Sequence, residues 1–342
     1  MIINVGSTER TSQNEEVRRM NMNKKQNTIW AAAALLGLGL LAGCGSDSKP
    51  AASEASAPVS GSAIRLTGTS GDVDLAKPAA RVAALEWSFA GDLLALGVTP
   101  VGIADDGKAA AMRKLNGGQP LDYAPLGERS APDIEAILAS APDLILGDTD
   151  RHTAILDKLR AVAPTLILNS RKGSYDDSLG DFRQIAAAVG REAEGEARLK
   201  QHAEAMELLQ AKAEKLPVRK VLIGVARKDG LNAHSAFSYA GQVIQRIGLE
   251  NVASGSEEEP YPELGLEGIV EADPDAIFIA TDDEMPITDQ WAKTSVWQGL
   301  RAVKAGRVYE VDRDVWTRFR GITPAESIAG EAISRLESVS SQ

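Results

Sequence analysis

One cysteine, Cys44, is all that the 342-residue sequence contains, so no disulfide can form within the chain. Histidine is almost as scarce. His152, His202 and His234 are the whole supply, which makes a multi-histidine metal centre hard to build. No G-x-S-x-G elbow, phosphate-binding P-loop or clear G-x-G-x-x-G occurs, which argues against the common hydrolase, nucleotidase and dinucleotide-binding designs. An Asp150/His152 pair is left as a weak acid–base or metal candidate, so a hydrolytic enzyme or a bare-metal binder is the poorer alternative. Positive charge is also short. The formal net charge is −11, which excludes a non-specific nucleic-acid binder. Any cluster of cations therefore works against the overall field and is informative for that reason.

Long apolar runs are missing too. Ile29 to Leu41 spans 13 residues, short of the ~20 that cross a hydrocarbon core of ~30 Å. The run follows Lys24 and Lys25 and ends in Leu41-Ala42-Gly43-Cys44. That order of parts looks like a secretory signal with a bacterial lipobox, although a short buried helix ending in a free thiol would read similarly. The expectation is cleavage after residue 43, lipidation of Cys44, and a periplasmic or outer-face location at the cell membrane. Met20 and Met22 mark the residues before them as an upstream start-site extension. Residues 44–62 are rich in Ser, Ala and Pro and nearly devoid of large apolar side chains. They should form a flexible linker.

Beyond the linker, short β-type runs alternate with helical patterns. The runs are 81–86, 100–105, 143–148, 165–170, 220–226, 275–281 and 307–312. Near-continuous apolar strands separated by helices predict parallel sheets covered on both faces. A weak repeat aligns 134–146 with 266–279, pairing Glu135 with Glu267, Ile137 with Ile269 and Asp143 with Asp275 at an offset of 132. Between the repeats, 193–217 carries good helix formers, with Leu199, Ala203, Met206 and Leu209 at helical spacing. About 22 residues at 1.5 Å each give roughly 33 Å, enough to cross from one lobe to another. The expected division is 63–190, an N-terminal α/β lobe; 191–217, a bridging helix; and 218–342, a C-terminal α/β lobe.

Cations recur after the strands. Arg129 precedes a helix opening near Pro132. Arg151 follows 143–148, Arg171 and Lys172 follow 165–170, and Arg227 and Lys228 follow 220–226. The stretch DRDVWTRFRG, 312–321, adds Arg313, Arg318 and Arg320. Ligands of open α/β sheets bind outside the carboxyl ends of the strands. Facing lobes would thus converge these residues on one anion site, arginine being suited to bidentate carboxylate recognition. Thr323, Pro324 and Glu326 read as a capping box, leaving 313–322 as loop or extended chain; in extended chain Trp316, Arg318 and Arg320 share one face, with Trp316 joining the arginines as a ligand-binding candidate, and Thr317 and Phe319 point the other way. Tyr239, Tyr261 and Glu263 fall in expected cleft loops, and Trp87 reads as core.

The segments 81–106, 126–146 and the long central helix resemble the substrate-binding lipoproteins of bacterial iron-siderophore ABC importers, in the ferric citrate and carboxylate-siderophore branch. The resemblance runs from about residue 80 to 336. It implies a class III periplasmic binding protein, two Rossmann-like α/β lobes joined by one long helix, acting as a monomer and closing only slightly. It implies no enzyme activity, no intrinsic cofactor and no direct protein ligand to iron. The ligand would be a ferric siderophore or ferric citrate. By that likeness Arg129, Arg151, Arg227, Lys228, Arg313, Arg318 and Arg320 would read the chelator. Glu135 and Glu267 would dock on the membrane permease, which works with a cytoplasmic ATPase. A catecholate or hydroxamate chelate, haem or a corrinoid remain open for the same fold.

Overall fold

The computed structural model describes residues 63–339. The signal-like segment, Cys44 and the linker lie outside these residues. Two five-stranded sheets form the framework. In the first, the spatial order is Ala124–Pro125, Gly102–Ile103, Val82–Ala84, Leu144–Asp148, Thr165–Leu168, and every pairing is parallel. In the second, Lys220–Ala226, Ala276–Ala280 and Val308–Val311 run parallel. Leu231–Ala233 closes one edge antiparallel, and Glu250–Asn251 pairs beside the start of Lys220–Ala226.

The apolar runs are continuous because both faces of each sheet are covered. Side chains alternate across a strand, so Val82 and Ala84 enter one core while Ala83 and Leu85 enter another. The second sheet divides likewise: Val221, Ile223 and Phe278 lie on one side, Leu222, Ile277 and Ile279 on the other. The shorter strands, Ala124–Pro125, Leu231–Ala233 and Glu250–Asn251, carry too little pattern to be read from sequence.

The repeat at an offset of 132 is a repeat of structure. Leu144–Asp148 corresponds to Ala276–Ala280, and Ile137 and Ile269 are both fully buried. Ala141 and Asp273 both hold a left-handed backbone, at φ 45° and 41°. Asp143 accepts from the amides of Ala80 and Arg81; Asp275 does the same for Arg219 and Lys220.

The lobes are linked by the helix Glu192–Ala213. Gly195 lets it approach the helix Tyr175–Ala188, since a Cβ there would meet the Ala186 Cβ at 2.6 Å. The C-terminal helix Ile322–Val339 packs along the bridging helix. A polar chain joins all three. Arg198 donates to both oxygens of Glu326 at 2.8 Å, His202 Nδ1 lies 2.8 Å from Glu326, and His202 Nε2 lies 2.6 Å from the Tyr175 hydroxyl. This corrects the expected capping box: the helix starts at Ile322, so Thr323 lies inside it and Glu326 faces the bridging helix. Just before that helix the chain dips into the first lobe, where Phe319 packs on Trp87 with ring centres 5.8 Å apart. Gly321 is required at this crossing. Its φ is +103°, and a Cβ would lie 2.6 Å from Asp92 Oδ1.

Candidate functional site

The carboxyl ends of the two sheets face a cleft of about 320 Å³. Seven arginines line it: Arg129, Arg151 and Arg171 from the first lobe, and Arg227, Arg313, Arg318 and Arg320 from the second. Val225, Asn232, His234, Tyr261 and Thr317 complete the wall.

On the first lobe one carboxylate aims two arginines. Asp148 ends its strand and caps the following turn. One oxygen accepts from the amides of Asp150 and Arg151, the other from Ser170 and Arg171 at 2.9 Å each. Arg129 lies over Trp87, its guanidinium carbon 3.8 Å from the ring centre. Asp106 grips it through Nε at 2.9 Å and Nη2 at 2.6 Å. His152 is fully buried and wholly engaged. Its Nδ1 accepts from the Asp148 amide at 2.7 Å, so Nε2 donates to the Arg129 carbonyl at 2.8 Å. The Asp150/His152 pair is thus part of the scaffold, because both imidazole nitrogens are spent on backbone.

Glu86 sits behind these arginines, 1% exposed, bound to Arg151 and 3.7 Å from Arg129. Burial pushes its carboxyl up to about 6, against the pull of Arg151 and Arg129. On the second lobe, Asp282 holds Arg313 at 2.8 Å and also pairs with Arg318, which reaches Asp314 at 2.6 Å. Burial, followed by the like charge of Arg318, pushes the Arg313 guanidinium below its ordinary value. Arg171 pairs with Asp150. Five carboxylates therefore answer seven guanidiniums, and Arg227 and Arg320 have no ion pair among the described residues. Arg320 reaches only the Arg171 and Arg318 carbonyls and the Tyr261 hydroxyl, at 3.2–3.3 Å. The Nε atoms of Arg313 and Arg320 and the Nδ1 of His234 are buried without a partner. Burial, then Arg320 and Arg313, hold the His234 imidazole down at about 3, so it is neutral in any working buffer. Unpaired donors and surplus positive charge make the cleft a ready acceptor of a multivalent anion.

Several expected site residues fall elsewhere. Residues Asp314–Arg318 coil into a π-helical turn, neither the loop nor the extended chain expected there. Trp316 is thereby fully buried, stacked on Phe278 at 4.8 Å with its indole N–H on Glu331, while Thr317 lines the cleft. Tyr239 is likewise core: it is 3% exposed and its hydroxyl donates to the Gly321 carbonyl, 82 positions further along the second lobe. Lys228 is exposed on a bend and does not reach the cleft. Tyr261 does line it, with its ring 4.8 Å from that of His234. Glu135 and Glu267 sit exposed in the first turns of the helices Ile134–Ala139 and Leu266–Ala272. His234, Asn232 and Glu86 escaped the reading of the sequence. Glu86 had one signal, a lone acid ending an otherwise apolar strand.

Two α/β lobes, a bridging helix and a ligand-sized cleft between the sheet ends define a solute-binding protein of the helical-backbone type. Comparison with known families agrees: residues 82–315 match the periplasmic binding protein family, and the chain belongs to it. The Fe(3+)-citrate-binding protein YfmC of Bacillus subtilis (strain 168) is 39% identical over 256 residues, covering 75% of this chain and 80% of that protein. The Fe(3+) dicitrate-binding periplasmic protein FecB of Escherichia coli (strain K12) is 35% identical over 264 residues, covering 77% and 87%. Among solved structures, the petrobactin-binding protein YclQ of Bacillus subtilis superposes with a TM-score of 0.70 over 81% of this chain and 99% of that one. At 19% identity that likeness speaks for the fold alone.

Proposed function

We propose that this chain is the extracytoplasmic binding component of an ABC importer, and that it captures a ferric citrate-type chelate in the arginine cleft. The observation that carries the reading is the concentration of seven arginines in one inter-lobe cleft of a chain whose net charge is −11. A ferric ion in such a chelate is enclosed by the hydroxyl and carboxylate oxygens of its chelator, and the complex is anionic. The protein then supplies charge and hydrogen bonds to outward carboxylates. Arg320 and Arg227 take carboxylate oxygens first, being without ion pairs. His234, neutral and with a free ring nitrogen, takes a hydroxyl or water of the chelate. The chain works as a binder, not an enzyme. Cys44 anchors it by lipid, 44–62 form the tether, and the monomer hands its cargo to a permease dimer driven by an ATPase.

The test is a titration of the chain starting at residue 45 with ferric citrate, followed by tryptophan fluorescence, Trp87 lying directly under Arg129. Iron-free citrate, a ferric hydroxamate, a ferric catecholate and haem serve as comparisons. Saturable quenching by ferric citrate, lost in Arg318→Ala/Arg320→Ala, is the expected result. Tight binding only to a neutral hydroxamate or to haem, indifferent to those substitutions, would sink the ligand assignment.

A further inference from the structure

Of the five carboxylates that answer the cleft arginines, Glu86 differs from the rest. Asp106, Asp150, Asp282 and Asp314 keep 16–45% of their side chains exposed, so water solvates them when a ligand takes their arginines. Glu86, 1% exposed, has no water to turn to. Asp148 is as deeply buried, but four backbone amides donate to it. Among the described residues no amide or hydroxyl donates to the Glu86 carboxylate. It accepts from Arg151, and Arg129 Nη1 stands 3.7 Å away. Glu86 is also the N-cap residue of the helix Trp87–Ala95, yet its side chain caps no amide there. Charged groups face it from several elements: Arg151 and Asp148 from the end of Leu144–Asp148 and the turn after it, Arg129 from the hairpin Gly127–Pro132, and Arg320 from the last loop. His152 bonds the Asp148 amide and the Arg129 carbonyl, not Glu86. Arg129 is held further by Asp106 and Trp87, whereas the one ion pair of Arg151 is with Glu86. An anion entering the cleft therefore contests Arg151 with Glu86. A buried carboxylate that loses its cation is strongly disfavoured in its charged form.

We infer that Glu86 is a positioning residue that holds Arg151 in the empty cleft, yields it to a carboxylate of the arriving chelate, and takes up one proton from solution as it does so. The inference rests on the ligand reading above and adds to it a residue that touches no ligand yet sets how tightly one is held. One arginine–carboxylate pair is exchanged for another, and the proton neutralises the charge left behind. The exchange gives affinity a definite pH dependence. In the empty cleft Glu86 titrates at about 6, and the negative charge of the chelate, together with the diverted arginine, raises that value in the complex. Protonated Glu86 favours binding. Its contribution is therefore fully present below pH 6 and is lost as the pH rises from there to the higher value of the complex.

The experiment is calorimetric titration of the parent and of Glu86→Gln with ferric citrate, in Pipes and in Aces, whose different ionisation enthalpies count the protons exchanged. Protons exchanged by the chelate itself are common to both proteins and cancel in the comparison. For a rise of one pKa unit in the complex, the parent should take up about 0.4 proton more than Glu86→Gln near pH 7. Glu86→Gln should bind roughly 10-fold more tightly than the parent at pH 8 and within about twofold of it at pH 5.5. An infrared difference spectrum of the parent, bound minus empty, supplies a readout that needs no variant. A protonated-carboxyl band should appear on binding and stay in place when the citrate is labelled with ¹³C. Equal proton uptake by the two proteins with no such band would overturn the inference. So would a Glu86→Gln protein that binds more weakly at every pH, since Glu86 would then only brace Arg151. Either result, obtained with a parent that binds ferric citrate, leaves the ligand reading standing. A parent that binds no ferric citrate in either buffer would overturn the ligand reading and this inference with it.

Discussion

Replacing Arg313 by methionine should make the empty protein more stable and the liganded one weaker. Arg313 is 13% exposed, its Nε has no hydrogen-bond partner, and it crowds Arg318. A buried donor left unsatisfied costs about 1–3 kcal/mol. Its one ion pair is with Asp282, a half-exposed carboxylate, and such pairs contribute about 0–1 kcal/mol. Arg318 keeps Asp282 neutralised after the change, so no orphaned charge is created. The net gain for the empty protein is about 1–2 kcal/mol, which raises the melting temperature by roughly 2–6 °C for a protein of this size. In the complex, one charge-assisted hydrogen bond to the chelate is lost. At about 1.5–3 kcal/mol this weakens ferric citrate binding roughly 10- to 150-fold. Thermal melts of the ligand-free proteins and calorimetric titration with ferric citrate read the two effects separately. Lys200→Met, on the exposed side of the bridging helix, is the control and should move neither. An Arg313→Met protein that melts below the parent, or that binds ferric citrate equally tightly, would refute the idea that the cleft holds strained, under-neutralised charge for its ligand.

Three other substitutions probe the remainder of the structure. Asp181 has one buried oxygen without a partner, and burial followed by Asp177 raises its carboxyl to about 8 from 3.8. Its neutral form stabilises the fold fully below pH 3.8, and that contribution is lost as pH rises through 8. Asp181→Asn should therefore show a higher urea midpoint than the parent at pH 8 and the same midpoint near pH 4. Glu326→Gln removes the charge that Arg198 and His202 share, lowering stability by about 1–3 kcal/mol in urea denaturation, while ferric citrate affinity holds because the network lies away from the cleft. Trp316→Phe should lower the melting temperature through lost packing and the lost bond to Glu331, yet leave affinity at the parental value; a large loss of affinity with an unchanged melt would return Trp316 to the binding site.

Much of this protein is readable along the chain because its signals are local. A buried parallel strand is a short apolar run, and Lys220–Ala226 or Ala276–Ala280 shows as such. The cations at strand ends are legible for the same reason: chain order places them just beyond each run, and parallel strands bring all those ends to one side. The bridging helix announces itself by composition. The repeat of Glu135 and Glu267 is visible as a spacing. What the sequence could not supply is which of these groups meet. Trp316 and Thr317 exchange roles because a π-helical turn rotates them, and that turn has no local signature. Tyr239 is spent on a carbonyl 82 positions away. Glu86 lies 65 positions from Arg151, and Arg313 lies 31 from Asp282. Neutralisation is a matter of a few ångströms between groups far apart in sequence, so only the tertiary structure decided that two arginines stay without an ion pair. That local excess of charge, set by packing, is the part of the site an anion would feel.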